Sequence, residues 1–395
     1  MVEIAGVRPN ARALAGRLAF GVSAIGFGQS AFIALVPLIA VQTGLGTGEI
    51  GMAAALGALA FVAGAPICGS LGARFGHGRT LCALGLVVLC GQLLLAGLIW
   101  TTALAPLLAL AVLITSRLVY GFGASGVIPV AQSWVCRSAA EEQHRGLLAL
   151  LSAGLGTGRI LGSVAAMTAS LAAQLPFLLL VLSPISLLFV PREKRLSPAL
   201  DTDEKKRLFP FDRRILPFLA IGFCLMVGFG QVQMMLGPIL EAKLGLTASS
   251  ATSATGLILT LVAAAMILVQ VFAIPRLPFD QGIGVTTGSI LLALGALTVV
   301  ASGGFALCAV GLVIGGIGVA IASPTYLAWL VSRVQPREQG AAAGWLASAH
   351  VLGQGAGAVI GGYAFALWPP LPLLFCAAPA GAIAVAAWSI KPGRS

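Results

Sequence analysis

The chain repeats itself. Gly26-Phe27-Gly28-Gln29 returns as Gly228-Phe229-Gly230-Gln231. Farther on, Gly121, Gly123, Pro129, Trp134, Gly158 and Gly162 return at one constant offset as Gly316, Gly318, Pro324, Trp329, Gly353 and Gly357. That offset is close to half of the 395 residues. Each half is therefore a version of the other, and any fold must bury equivalent faces of both.

Both halves are strongly apolar. Hydrophobic residues make up 58% and charged residues 9%, with a mean hydropathy of +1.02. A soluble chain carries about 25% charged residues, so most of this one must face lipid. A spanning helix needs about 20 apolar residues. Twelve such stretches are predicted, over 16–42, 49–71, 79–99, 104–136, 146–170, 172–190, 212–240, 249–273, 281–301, 304–332, 340–366 and 369–389. They are continuously apolar rather than alternating, which implies helices and not a barrel. The sixth is short and interrupted by Pro184. The fold class expected is thus an all-α membrane protein of twelve transmembrane helices in two six-helix pseudo-repeats. The 51 glycines suit close helix packing in lipid. The first stretch, Leu18 to Val41, is too long for a signal-peptide core and reads as a retained helix.

Several function classes fall away. The pI of 9.9 does not mark a nucleic-acid partner, because the basic residues form no single face with interleaved aromatics. Seven cysteines without a CxxC spacing imply neither a disulfide framework nor a metal site. No phosphate-binding G-x-x-x-x-G-K-[ST] loop is present, and no acid pair, HExxH or Ser/His/Asp set marks an enzyme. No cofactor is implied.

The charges set an orientation. Of the 23 Lys and Arg residues, all but Lys243, Arg117 and Arg159 fall at one side of the predicted spans. The positive-inside rule puts both termini and the central loop in the cytoplasm of a multi-pass inner-membrane protein. Domain boundaries follow: a bundle over 1–190, a charged linker over 191–211, and a second bundle over 212–395. A monomer is expected.

Three local motifs point to a family. The loop after the second span reads Gly69-Ser70-Leu71-Gly72-Ala73-Arg74-Phe75-Gly76-His77-Gly78-Arg79. It is similar to the G-x-L-a-D-R-x-G-R/K loop of the major facilitator superfamily, with Ala73 in place of the family's Asp. Gly69, Arg74, Gly76 and Arg79 are its matching conformational residues. The fourth span carries Arg117-Leu118-Val119-Tyr120-Gly121, which looks like the R-x-x-x-G pattern of proton-linked members. The fifth carries Gly154 through Ser163, similar to the Gly/Pro motif of drug:proton antiporters with Ser163 where Pro is usual. The chain resembles that antiporter branch, siderophore and metallophore exporters included. The resemblance implies a site between the halves, lined by spans 1, 4, 7 and 10.

Candidate site residues follow from depth and polarity. Arg117 lies about 20 Å into its span at 1.5 Å per residue. An arginine there costs about 2.5–3.5 kcal/mol on insertion scales and normally faces a cavity or a partner. It either binds substrate or ties helices together. Arg159 sits at mid-depth in span 5, with Gln354 as its repeat mate; it contacts substrate or glues helices. Gln29, Gln231 and Gln233 are neutral amides able to bind a ligand or to bond between helices. Tyr326 and Trp329 on span 10 are further cavity candidates, Trp329 alternatively an interfacial anchor. His350 is the proton-coupling candidate, because histidine titrates near neutral pH.

None of the 12 acids is predicted at mid-membrane. A cavity holding arginines, amides and a histidine is electropositive, and low dielectric enlarges that field. The reading is a transporter, expected to export a small anionic or zwitterionic metabolite, siderophore-like, coupled to protons. A multidrug:proton antiporter and an importer of an anionic metabolite or siderophore are the alternatives. A transport-dead sensor is the rival from another class.

Overall fold

The computed structural model describes residues 10–100, 104–191, 208–276, 280–378 and 383. Among them the chain is almost wholly helical. The first span begins as α1 (Asn10–Ala34) and continues as α2 (Val36–Thr43). Pro37 has no amide to donate, which explains the break at Leu35. α3 (Thr47–Phe75), α4 (His77–Trp100), α5 (Pro106–Ser138) and α6 (Glu141–Met167) follow. The short sixth span is α7 (Leu175–Leu182) and α8 (Ile185–Leu188), divided at Pro184 as its sequence suggests. The second repeat comprises α9 (Leu216–Leu244), α10 (Ala248–Leu268), α11 (Gln281–Ala301), α12 (Phe305–Ser332) and α13 (Gln339–Leu367). Residues 371–378 open the twelfth span, whose remainder lies mostly outside the described residues, as do most of the linker and the two chain ends. Nine of the described helices are long and apolar enough to cross a membrane. The boundaries of the first eleven spans read from the sequence fall within about six residues of the helix ends. Spans 1 and 5 start earlier than expected, at Asn10 and Glu141, because polar residues continue each helix as its first turns.

Glycines set the turns. Gly44, Gly76 and Gly245 have φ of 69°, 92° and 64°. Only glycine adopts this region without strain. Gly44 and Gly245 end the first span of each repeat, and Gly76 makes the turn inside the Gly69–Arg79 motif.

Packing repeats as the sequence does. In the first repeat α1 packs on α6, α3 on α5, and α4 on α5. In the second, α9 packs on α13, α10 on α12, and α11 on α12. The halves meet through α3 with α13 and α10 with α6. Their closest contacts fall toward the end of the bundle that carries Lys243. There the Thr47 hydroxyl donates to the Gly362 carbonyl at 2.8 Å, and the Ser253 hydroxyl donates to the Met167 carbonyl at 2.9 Å. Gly51 lies against the Ala358 backbone and Gly256 against the Ser163 carbonyl, with no room for a Cβ at either. Small residues are what let backbones come so close.

One register differs from the sequence repeat. Gly158 and Gly162 pack on the carbonyls of Ser23 and Phe27. Their mates Gly353 and Gly357 pack on those of Phe223 and Val227. In space, therefore, Phe27 corresponds to Val227 and not to Phe229. The Gly-Phe-Gly-Gln tetrapeptides are out of step by two residues, roughly 200° around a helix of 3.6 residues per turn.

Candidate functional site

A cavity of about 140 Å³ lies between the repeats, walled by α1, α3 and α5 on one side and by α9 and α13 on the other. Its polar lining is Gln29, Arg117 and Tyr120 from the first repeat and Gln233 and Gln354 from the second. Phe32, Ile33, Phe61, Met234 and Val351 are prominent in the apolar remainder. Among the described residues no carboxylate lines it.

Arg117 is almost wholly buried, at 3% exposure, and no carboxylate among the described residues pairs with it. Its Nε and Nη2 donate to the Ser116 hydroxyl at 3.2 and 3.1 Å, and Nη2 also donates to Gln92 Oε1 at 3.2 Å. The guanidinium lies over the rings of Phe32, at 4.4 Å, and Tyr120, at 4.9 Å. Desolvated cation–π contacts are worth roughly 2 kcal/mol each. Together with the three hydrogen bonds they are on the scale of the insertion cost, so the cation is held without being neutralised. Arg117 thereby joins α5 to α4 and α1, and Tyr120 adds a second tie, its hydroxyl donating to the Ile25 carbonyl at 3.0 Å. Gly28 completes the cluster. A Cβ there would stand 2.7 Å from the Tyr120 hydroxyl and 2.8 Å from Gln92 Nε2.

Arg159 stands at the margin, its Nη2 donating to Gln29 Oε1 at 3.3 Å. Gln29 thus joins the cavity wall to the second arginine. Gln354 faces the cavity with only a 3.8 Å contact from its Nε2 to the Met226 sulfur. Gln233 lines the cavity, whereas Gln231 is buried against Gly357 and Gly361 within the second repeat. The two-residue slip explains this: Gln231 is not the spatial mate of Gln29 and points to another face.

The span 10 and 11 candidates come together elsewhere. The Tyr326 hydroxyl and His350 Nε2 are 2.6 Å apart, with the rings edge to face. Tyr326 is fully buried and does not line the cavity; His350 is one residue from Val351, which does. Trp329 packs edge-on against Phe218, at 5.2 Å between centroids, away from the cavity. In the motif loop, Arg74 lies over Phe75 and is exposed, as is Arg79; Gly69 and Gly76 take their places at the end of α3. Among the described residues no group of three metal-ligating side chains is gathered.

Gln92 was passed over in the sequence. Its signal was a lone amide in an otherwise apolar span, facing a helix with a buried arginine. Phe32 carried no signal, because an aromatic in a spanning helix is ordinary.

Comparison with known proteins gives the class. The family model described as Major Facilitator Superfamily matches residues 18–278. The chain belongs to the major facilitator superfamily and is a secondary transporter, not an enzyme. No curated protein sequence matches it. Solved structures share its fold at low identity. A mutant of the nucleoside transporter NupG superposes with a TM-score of 0.76 at 11% identity, covering 97% of this chain and 100% of that one. A D-xylose–proton symporter gives 0.72 at 14% identity, covering 96% and 97%. A bacterial homolog of the human lysosomal transporter Spinster, inward-facing and unoccupied, gives 0.71 at 14%, covering 97% and 95%.

Proposed function

We propose that this transporter exports a small anionic or zwitterionic metabolite from the cytoplasm across the inner membrane, siderophore- or metallophore-like in class and driven by the proton gradient. Residues 1–190 rock against residues 212–395 about the central cavity. One observation carries the reading: a buried, un-neutralised arginine lines an inter-repeat cavity that holds no carboxylate. Such a wall favours an anion and repels a lipophilic cation. The arginine-rich end is cytoplasmic by the positive-inside rule. The halves are then sealed toward the periplasm, and substrate enters from the cytoplasm. Export is favoured by the fifth-span glycine motif.

Arg117, Gln29, Gln233 and Gln354 are the substrate contacts, with Arg159 acting through Gln29. Gln231, Tyr326 and Trp329 support these helices from behind. His350, bonded to Tyr326, carries the coupling proton, since no acid lines the cavity to do so. The motif loop with Gly76 is the hinge-side turn that moves with the rocking.

The test is transport in proteoliposomes under an imposed pH gradient, comparing organic carboxylates with lipophilic cations and wild type with His350→Gln. Gradient-driven carboxylate movement that is lost in His350→Gln supports the reading. Gradient-driven transport unchanged in the variant removes the histidine from coupling. Preference for lipophilic cations would establish the multidrug alternative instead.

A further inference from the structure

We propose that the cavity selects a monoanion with a planar apolar body and an uncharged polar tail, and that it binds in one orientation. The anionic group sits on Arg117 of the first repeat and the tail on Gln233 and Gln354 of the second. This rests on reading the cavity as the transport site, and it narrows the substrate to exclude zwitterions.

Three observations converge. First, polarity is divided between the walls. Arg117 is the one cation among the lining residues, and its Nη1 has no hydrogen-bond partner among the described residues while Nε and Nη2 are engaged. A guanidinium presents five N–H donors in a fixed fork, so the open Nη1 corner is free for an oxygen anion. Second, the facing wall is neutral and underused. Gln233 makes no side-chain hydrogen bond, and Gln354 has only the long contact to Met226. Amides that both donate and accept suit a hydroxyl or an amide of a ligand. Third, among the described residues no carboxylate lines the cavity to pair with an ammonium. Placed near Arg117 in low dielectric it is repelled instead. Phe32 and Phe61, on the same wall as Arg117, line the cavity and suit a flat apolar body. Arg159 does not line the cavity and reaches it only through Gln29, so a second negative charge has no cation of its own there.

Four probes share a phenol and a short chain and differ in charge. They are 3-(4-hydroxyphenyl)propionate, its amide, tyramine and tyrosine. Their binding is read as the rise in melting temperature of the detergent-purified transporter, which ligand binding produces by mass action, and by titration calorimetry. The propionate is expected to stabilise the wild type and the other three are not. In Arg117→Leu the propionate should bind at least about tenfold more weakly. In Gln354→Glu tyrosine should gain binding, because its ammonium acquires a partner. Stabilisation of the wild type by tyramine or tyrosine as strong as by the propionate overturns the proposal. So does the absence of stabilisation by all four. Binding in detergent is independent of coupling and direction. Failure here beside gradient-driven anion transport would sink the substrate class alone; the expected binding without any transport would sink the transport reading alone.

Discussion

The two repeats use one scaffold to hold opposite chemistry. In the first, Gly91 of α4 packs on α5 at Ser116 and Tyr120; in the second, Gly295 of α11 packs on α12 at Gly311 and Gly315. This fixes which residues correspond. Leu312 takes the place of Arg117, Ala296 of Gln92, Gly311 of Ser116 and Gly315 of Tyr120. Where Phe32 covers Arg117, the second repeat has Val232. The result is a small apolar pocket lined by Leu312, Ala296, Gly311, Gly315 and Val232, among others, in the volume that the polar cluster fills in the first repeat. Duplication supplied the frame twice, and only one copy carries a charge. A site between two such halves is polar in one direction by construction.

The comparison can be broken by exchanging the residues. Arg117→Leu gives the first repeat the residue of the second. Truncating one partner of a buried charge pair costs roughly 2–5 kcal/mol of binding, so carboxylate transport should fall well over tenfold. Stability should hold or rise, because replacing a buried ion by an apolar side chain is often neutral or stabilising. A lowered melting temperature with transport retained would mean that Arg117 is structural. The reverse exchange, Leu312→Arg, places a cation among small apolar residues with no acceptor. It should destabilise by about 2.5–3.5 kcal/mol, the insertion cost of a midplane arginine. Adding Ala296→Gln should return about 0.5–2 kcal/mol of this as coupling. Thermal unfolding of single and double variants measures both; no recovery in the double variant would show that Gln92 does not hold Arg117.

A smaller difference concerns what each glycine faces. Gly121 looks onto the Gly57 backbone carbonyl, whereas its mate Gly316 looks onto a Val262 methyl at 2.6 Å. A backbone cannot yield and a side chain can turn. Gly121→Ala should therefore cost about 1–3 kcal/mol as overpacking, and Gly316→Ala less. Equal losses in melting temperature would mean that α3 and α5 separate as readily as α10 and α12.

What the sequence revealed divides along the same line. Span number, the Pro184 interruption, the repeat and the mid-depth arginines depend on local composition, and all are legible residue by residue. Contacts that depend on helix rotation are not. The matched tetrapeptides suggest that Gln29 and Gln231 are mates, but letters carry no angle, and two residues of slip turn Gln231 inward. Tyr326 and His350 can each be singled out, yet their 2.6 Å contact depends on how α12 meets α13. Trp329 reads as cavity or interface by type; Phe218, more than a hundred residues earlier, decides that it is core.

The smallest effect lies at the arginine-rich end, where the second repeat again differs from the first. Arg214 donates to both Asp212, at 2.7 Å, and Glu338, at 2.8 Å, joining the start of α9 to the start of α13. The first repeat has Gln143 at the position of Glu338, so it lacks this carboxylate. Hydrogen bonds from Arg214 hold both carboxyls below their ordinary values of 3.8 and 4.5. A carboxylate depressed in the folded state adds stability above its unfolded value, and that addition disappears as pH falls through the folded one. Glu338→Gln, which copies the first repeat, should thus lower the melting temperature by a constant amount at neutral pH. The gap to wild type should begin to close below about pH 4.5. The gap should be small, because Arg214 remains 42% exposed and water screens exposed pairs. A gap that stays constant well below that pH would mean that the loss in the variant does not come from the carboxylate's charge.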